Sequence, residues 1–166
     1  MSLPSVLYRV FDDDSASQYH FNDGFRASDQ NWDCNDWKNS EKMAEAIRRH
    51  LDWSNRIGTP FISTSASLEA TRRETNRRYN QGKQNIRVAE INGWRLASEN
   101  VRMEKVEALV NLHRVTGAQF VTTTEYLCLG HIPHSSVRKI WDFGAFDDHC
   151  GIQGFNSRFC GIIPDF

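Results

Sequence analysis

The chain is short of the residues that mark the exceptional protein classes. It has four prolines and ten glycines in 166 residues and no Gly/Ser-rich run, which excludes collagen-like, linker-rich and low-complexity readings. No apolar run comes near the ~20 residues that cross a bilayer as a helix, so a helical membrane span is excluded. The charges nearly cancel, 20 Lys+Arg against 21 Asp+Glu for a net −1. That removes the simplest argument for nucleic-acid binding while leaving room for a local basic face. The four cysteines, Cys34, Cys128, Cys150 and Cys160, form no C-x-x-C pair, which leaves a zinc ribbon without support. Met1-Ser-Leu-Pro-Ser-Val lacks a basic n-region and a long apolar h-region, so it does not read as a signal peptide. The compartment, secreted or cytoplasmic, stays open.

What is present is an ordinary globular composition, 39% apolar and 25% charged. A chain of 166 residues is the size of one domain and buries roughly two thirds of its unfolded surface. A core therefore needs no metal or disulfide. No composition shift or internal repeat marks a boundary, and the reading is a single domain over residues 1–166. Cys128, inside Tyr126-Leu-Cys-Leu-Gly130, reads as a small buried hydrophobe. Cys150 and Cys160 flank a glycine-containing segment and are open between a disulfide and free thiols.

Val6–Phe11 reads as an apolar strand with an arginine inside it, broken by Asp12-Asp-Asp-Ser15. Phe21-Asn-Asp-Gly-Phe25 reads as a turn after a short helix, and residues 28–37 as a polar loop carrying Trp32 and Trp37. Ser40–Leu51 is an amphipathic helix, with Met43, Ala44, Ile47 and Leu51 at helical spacing and Ser40 as its N-cap. Phe61–Ser65 reads as a strand, and Ser67 as the cap of a helix from Leu68 to Tyr79 that ends by Gly82. Asn85–Ile91 alternates as a strand, residues 103–112 are a helix or turn, and Phe120–Thr124 and Glu125–Leu129 are β-rich. Val137–Trp141 is a last strand, and the tail from Cys150 to Phe166 shows no period. Several short strands with two early helices predict an α+β domain on a split antiparallel sheet core with N-terminal helices.

Three features are odd for a plain core. Arg9 sits in the middle of an apolar strand, the hydroxyls Ser63-Thr64-Ser65 end another, and Glu125 leads into a very apolar segment. Charge in apolar surroundings is costly unless paired or functional. Each has a plain reading: a structural ion pair, edge-strand or capping hydroxyls, a strand-end surface charge. Residues 72–87 hold Arg72, Arg73, Arg77, Arg78, Lys83 and Arg87 against Glu74 alone, which fits a solvated face or a patch that steers nucleic acid or phosphates. The aspartates Asp12, Asp13 and Asp14 read as a solvated turn, and the histidines show no metal-ligand spacing, so no metal is expected.

Taken in order, Leu7-Tyr-Arg-Val-Phe, Gly24-Phe-Arg-Ala27, Phe61-Ile-Ser-Thr-Ser65, Thr123-Thr-Glu-Tyr-Leu and Gly130-His-Ile-Pro133 resemble the mono-ADP-ribosyltransferases of the Arg–Ser–Glu branch. That group holds cholera toxin, pertussis toxin and the pierisins. The resemblance spans residues 6 to 141 and implies an ADP-ribosyltransferase-like fold. It implies an enzyme that takes NAD as substrate, needs no metal, and breaks the nicotinamide–ribose bond. Positive charge then develops on the sugar, and a carboxylate beside it stabilises the transition state most. The resemblance makes Glu125 that carboxylate, Arg9 the guanidinium that grips an NAD phosphate, and Ser63 the hydroxyl that orients Glu125. Tyr8, Thr64 and Ser65 join the NAD-binding set, the last two either touching ligand or structural. His50 stands where pertussis toxin has a His-Leu segment. It touches the ribose or supports the site, or else is a helix-end histidine favoured by the macrodipole.

One departure bears on the acceptor. Arginine-modifying members carry Glu two residues before the catalytic glutamate, and Thr123 stands there. A threonine cannot pair with an incoming guanidinium, so a non-arginine acceptor is implied: a nucleobase, another protein side chain, or water in an NAD glycohydrolase. Binding without transfer is the remaining alternative. The segment 116–123 lies where the family places its acceptor loop. Gln119, Phe120 and Thr123 are its acceptor-facing residues, with Phe120 either stacking on the acceptor or anchoring the loop in the core. The resemblance also implies a toxin or effector role.

Overall fold

Val6–Phe11 (β1) is extended because its side chains alternate across the pleat: Leu7, Arg9 and Phe11 are buried, and Val6, Tyr8 and Val10 are half-buried on the other face. In the computed structural model, which describes residues 3–33, 35–52, 54–116 and 123–159 (152–159 as backbone only), β1 lies inside a six-stranded antiparallel sheet. In spatial order the strands are Met103–Lys105 (β6), Glu125–Leu129 (β7), Phe61–Ser65 (β4), β1, Arg87–Asn92 (β5) and Val137–Asp142 (β9). A second, three-stranded sheet holds Tyr19–His20 (β2), Gly24–Arg26 (β3) and His131–Pro133 (β8). Leu7, Phe11, Ile62 and Ile91 from the large sheet and Phe25 and Ile132 from the small one form one buried cluster between them. Burying each of these side chains is worth about 1.5–3 kcal/mol.

Ser40–Leu51 (α1) buries Met43, Ala46, Ile47 and Leu51 against Phe61 and Leu127 of the sheet and Leu109 of Val106–Leu112 (α4). Its N-cap is Asn39, not Ser40. The Asn39 carboxamide oxygen accepts from the N–H groups of Glu41 at 3.1 Å and Lys42 at 3.0 Å. This satisfies two orphan donors with one side chain, which leaves Ser40 in the first turn. Leu68–Asn80 (α2) is capped as its sequence predicts: Ser67 Oγ accepts from the Ala70 N–H at 3.1 Å.

Other elements differ from the sequence expectations. Among the described residues no helix precedes Phe21; Tyr19–His20 and Gly24–Arg26 form a hairpin around the turn. Gly24 has φ +97°, and a Cβ there would meet the Ile132 carbonyl oxygen at 2.0 Å, so the turn admits only glycine. Residues 103–112 are neither helix nor turn alone but β6 followed by α4. Gly93–Ser98 (α3) and Phe143–Phe159 (α5) carry no clear amphipathic period, and α5 absorbs much of the tail. Asp142 shows why: it ends β9, and its side chain accepts from the Ala145 N–H at 2.8 Å, starting α5. Cys128 is fully buried, as expected of a small hydrophobe, and Cys150 packs beside Val88 and Phe146. Cys160 lies outside the described residues, so the pairing question does too.

Candidate active site

The site is built where β1 and β4 part. They share one registered pair, Tyr8 opposite Ser65. Where further pairs would form, the Arg9 guanidinium fills the gap. Its Nη1 donates to the Ser63 carbonyl and its Nη2 to the Ser17 carbonyl, each at 3.0 Å. Arg9 is 8% exposed, and the Phe25 ring lies 5.1 Å from its Cζ, near enough for a cation–π contact. Burial, with the nearby Arg78 charge, lowers its pKa to about 10, so it stays cationic at neutral pH. Arg9 Nε has no hydrogen-bond partner among the described residues, and each terminal nitrogen keeps a further N–H. A guanidinium so placed, at a cleft wall, suits a phosphate or another polar ligand group.

Ser63, Ser65 and Glu125 share one face of the large sheet, because β4 and β7 pair with Ser63 opposite Leu127 and Ser65 opposite Glu125. Above them the end of α1 presents His50. Its Nε2 lies 2.7 Å from Ser63 Oγ and its Nδ1 2.6 Å from Thr59 Oγ1. The ring packs edge-on to Phe61 with centroids 5.5 Å apart. Burial first, and the Arg9 charge second, lower the His50 pKa to about 4, so the imidazole is neutral at pH 7. For Glu125 burial is the largest effect and raises the carboxyl above its ordinary range. Hydrogen bonding from Ser63 pulls it down, and the Glu74 carboxylate adds to the rise.

These groups line one cleft of about 1310 Å³ with Tyr8, Ser65, Glu74 and Arg78. That exceeds the roughly 300–1,000 Å³ of a typical small-molecule site, so an extended ligand has room. Tyr8 packs on Phe146 with centroids 6.4 Å apart. Ser65 Oγ accepts from the Ser67 N–H at 3.1 Å. Thr64 is buried at the cleft, and its hydroxyl donates to the Tyr126 carbonyl at 3.1 Å. Thr123 is exposed in the turn before β7. Gln119 and Phe120 lie outside the described residues.

The basic stretch is largely paired. Arg72 meets Asp147, Arg73 meets Glu69, Arg77 and Arg78 meet Glu74, and Lys83 meets Asp14. The aspartate turn differs from its solvated reading: Asp12 is 2% exposed and accepts from Arg78 Nη1 at 2.7 Å. That bridge fastens α2 to the turn whose Ser17 carbonyl holds Arg9. Sequence reasoning missed Thr59, Ser17 and Glu74. The residue before a proline, Thr59, carried no signal of its own, and Glu74 was hidden among arginines. Among the described residues no His/Cys/Asp/Glu group is arranged to hold a metal ion.

No curated protein matches the sequence. Among solved structures, the one titled EcPltA aligns with a TM-score of 0.54 over 84% of this chain and 82% of its own, at 17% identity. At that identity the likeness is one of fold, and the fold is ADP-ribosyltransferase-like. A family model described as a domain of unknown function, DUF7587, matches residues 2–146, and the chain belongs to that family.

Proposed function

We propose that this protein breaks the nicotinamide–ribose bond of NAD and transfers ADP-ribose to a non-arginine acceptor, a nucleobase or a protein side chain. The observation that carries the reading is the meeting of Arg9, Ser63, His50 and Glu125 in one cleft, although they are scattered along the chain. In this reading Arg9 holds a phosphate of NAD with the N–H groups left over from its backbone bonds. His50 and Ser63 orient Glu125 beside the ribose. As the C–N bond lengthens, its electron pair leaves with nicotinamide, and the Glu125 carboxylate offsets the positive charge left on the sugar. The acceptor then forms the new bond to the same carbon and gives up its proton to Glu125 or to water.

Thr123 supports a non-arginine acceptor, since an exposed hydroxyl offers no ion pair to a guanidinium. It equally leaves space for water, which would make the protein an NAD glycohydrolase. Nicotinamide release from NAD tests the reading directly. Wild type releases nicotinamide, and Glu125→Gln loses at least ~10²-fold; equal rates for the two proteins would remove Glu125 from the mechanism. Release without any macromolecule favours water as acceptor. Label that moves from NAD to protein or nucleic acid favours transfer. Calorimetric binding of NAD with no turnover would leave a binding module on this fold.

A further inference from the structure

Arg9 is a buried cation held by backbone alone. Among the described residues it has no carboxylate partner; its Nη1 and Nη2 donate to the carbonyls of Ser63 and Ser17. These two supports are unequal. Ser63 stands on β4, which the ladder with β7 holds from Phe61 to Ser65. Ser17 stands in the irregular connection between β1 and β2, so its carbonyl is placed only as well as that segment's own bonds place it. Those bonds converge on Asp12, whose side chain is 3% exposed. Oδ1 accepts from the Asp14 N–H at 2.9 Å and the Ser15 hydroxyl at 3.3 Å, and Oδ2 accepts from Arg78 Nη1 at 2.7 Å. Gln18 Nε2 closes the segment on the carbonyls of Asp12 at 2.8 Å and Ser15 at 2.7 Å. Arg78 also donates to Ser15 Oγ at 3.1 Å and, through Nε, to Glu74 on its own helix at 2.7 Å. The direction of the bridge is fixed, since a guanidinium only donates and an ionised carboxylate only accepts. The two guanidiniums are thus handled differently. Arg78 has two carboxylates, Asp12 and Glu74, while Arg9 has none and keeps its charge for a ligand.

We propose that Asp12 and Arg78 are positioning residues: their ion pair ties the β1–β2 connection to α2, holds the Ser17 carbonyl in place, and so aims the Arg9 guanidinium at the ligand. Without the pair, the connection loses its tie to α2 and Arg9 loses one of its two supports. The loss falls on binding. The phosphate that Arg9 grips carries its charge before and during bond cleavage, so a misplaced Arg9 raises KM and leaves kcat.

The inference rests on the proposed activity for its purpose, but its first readout does not need turnover. Side-chain ¹⁵N spectra follow water exchange of the Arg9 Nη protons, assigned by their loss in Arg9→Lys. In wild type these protons should exchange at least about tenfold more slowly than those of the exposed Arg73. Asp12→Asn keeps the shape and removes the charge facing Arg78. It should speed the Arg9 exchange about tenfold or more under conditions where the variant is fully folded. Where nicotinamide is released, the same variant should raise KM for NAD about fivefold or more with kcat within about twofold. A merely structural role would lower the folded fraction and leave both constants, per folded molecule, unchanged. Arg78→Gln should match Asp12→Asn, and the double variant should be worse than the poorer single by about twofold at most, because both remove one bridge. Fully additive losses would mean that Arg78 grips the ligand itself, and would overturn the proposal. So would a wild-type Arg9 that exchanges as fast as Arg73, or a folded Asp12→Asn with Arg9 exchange unchanged. Should neither charge variant fold, Ser15→Ala removes the hydroxyl that Asp12 and Arg78 share; it should loosen Arg9 less, and an unmoved Arg9 there overturns the proposal equally. A wild type whose Arg9 is held, and is loosened by Asp12→Asn, but which releases no nicotinamide refutes the proposed activity and leaves this clamp standing.

Discussion

The central strand β1 has two edges, and they are built differently. Along one, every residue from Val6 to Phe11 faces a partner on β5. Along the other, a single pair joins it to β4. A complete ladder satisfies its N–H and C=O groups internally and offers nothing to a ligand. Its side chains are correspondingly apolar: Leu7, Ala89 and Ile91 are fully buried. Where the ladder stops, the Ser63 carbonyl is left over, and the Arg9 guanidinium takes it. The gap between the strands opens toward the cleft that Ser63, His50 and Glu125 line. One edge of β1 gives stability and the other gives the site.

The sharpest way to break this contrast is to damage each edge in turn. Ile91→Ala on the complete edge should cost about 2–5 kcal/mol of unfolding free energy, read by urea titration, while nicotinamide release per folded molecule stays within about twofold of wild type. Glu125→Gln on the open side should do the reverse. It loses the ~10²-fold in release, yet unfolds no more easily at pH 7 to 8. Glu125 is harder to ionise in the fold than in the unfolded chain, so its contribution is favourable at low pH and is lost as pH rises through its folded midpoint. Removing the carboxylate removes that cost. A Glu125→Gln protein much less stable than wild type at pH 8 would show that the open edge also carries the fold.

His50 offers a smaller effect of the opposite sign. Its folded pKa is about 4 against an ordinary 6.5. The fold thus favours the neutral ring, and stability is lost as pH falls from about 6.5 toward about 4, where the loss levels off. The full difference is worth about 3 kcal/mol at most. Urea titrations of wild type and His50→Gln over that window should converge as pH falls. A constant gap between the two curves would mean that His50 charges freely in the fold.

The complete edge was the more legible one. Alternation around Leu7 and Phe11, and the stripe of Met43, Ile47 and Leu51, mark β1 and α1 because burial imposes periods of two and 3.6 on the residues that face a core. The open edge became legible only through misfits: an arginine in an apolar strand, a glutamate before an apolar run. Those misfits locate Arg9 and Glu125 but not the wiring between them. Thr59 and Ser17 serve through a hydroxyl and a carbonyl fixed by the fold, and every residue has a carbonyl. α5 escaped because its cap, Asp142, also ends a strand, and its faces carry no clear apolar period.

The smallest expected effect is the one most specific to the open edge. Ser63 sits between His50 and Glu125, and its hydrogen bond holds the Glu125 carboxyl below where burial alone would put it. Ser63→Ala removes that bond and leaves Arg9 in place, because Arg9 uses the Ser63 backbone carbonyl rather than its hydroxyl. The acid limb of kcat/KM for nicotinamide release, which reports groups of the free enzyme, should therefore move to higher pH by about a unit or less, while the unfolding free energy changes by about 0.5–1.5 kcal/mol. A rate lowered equally at every pH would mean that Ser63 acts on the ligand directly and not through the ionisation of Glu125. The open edge would then be a binding surface, and the carboxylate would owe its charge to the cleft alone.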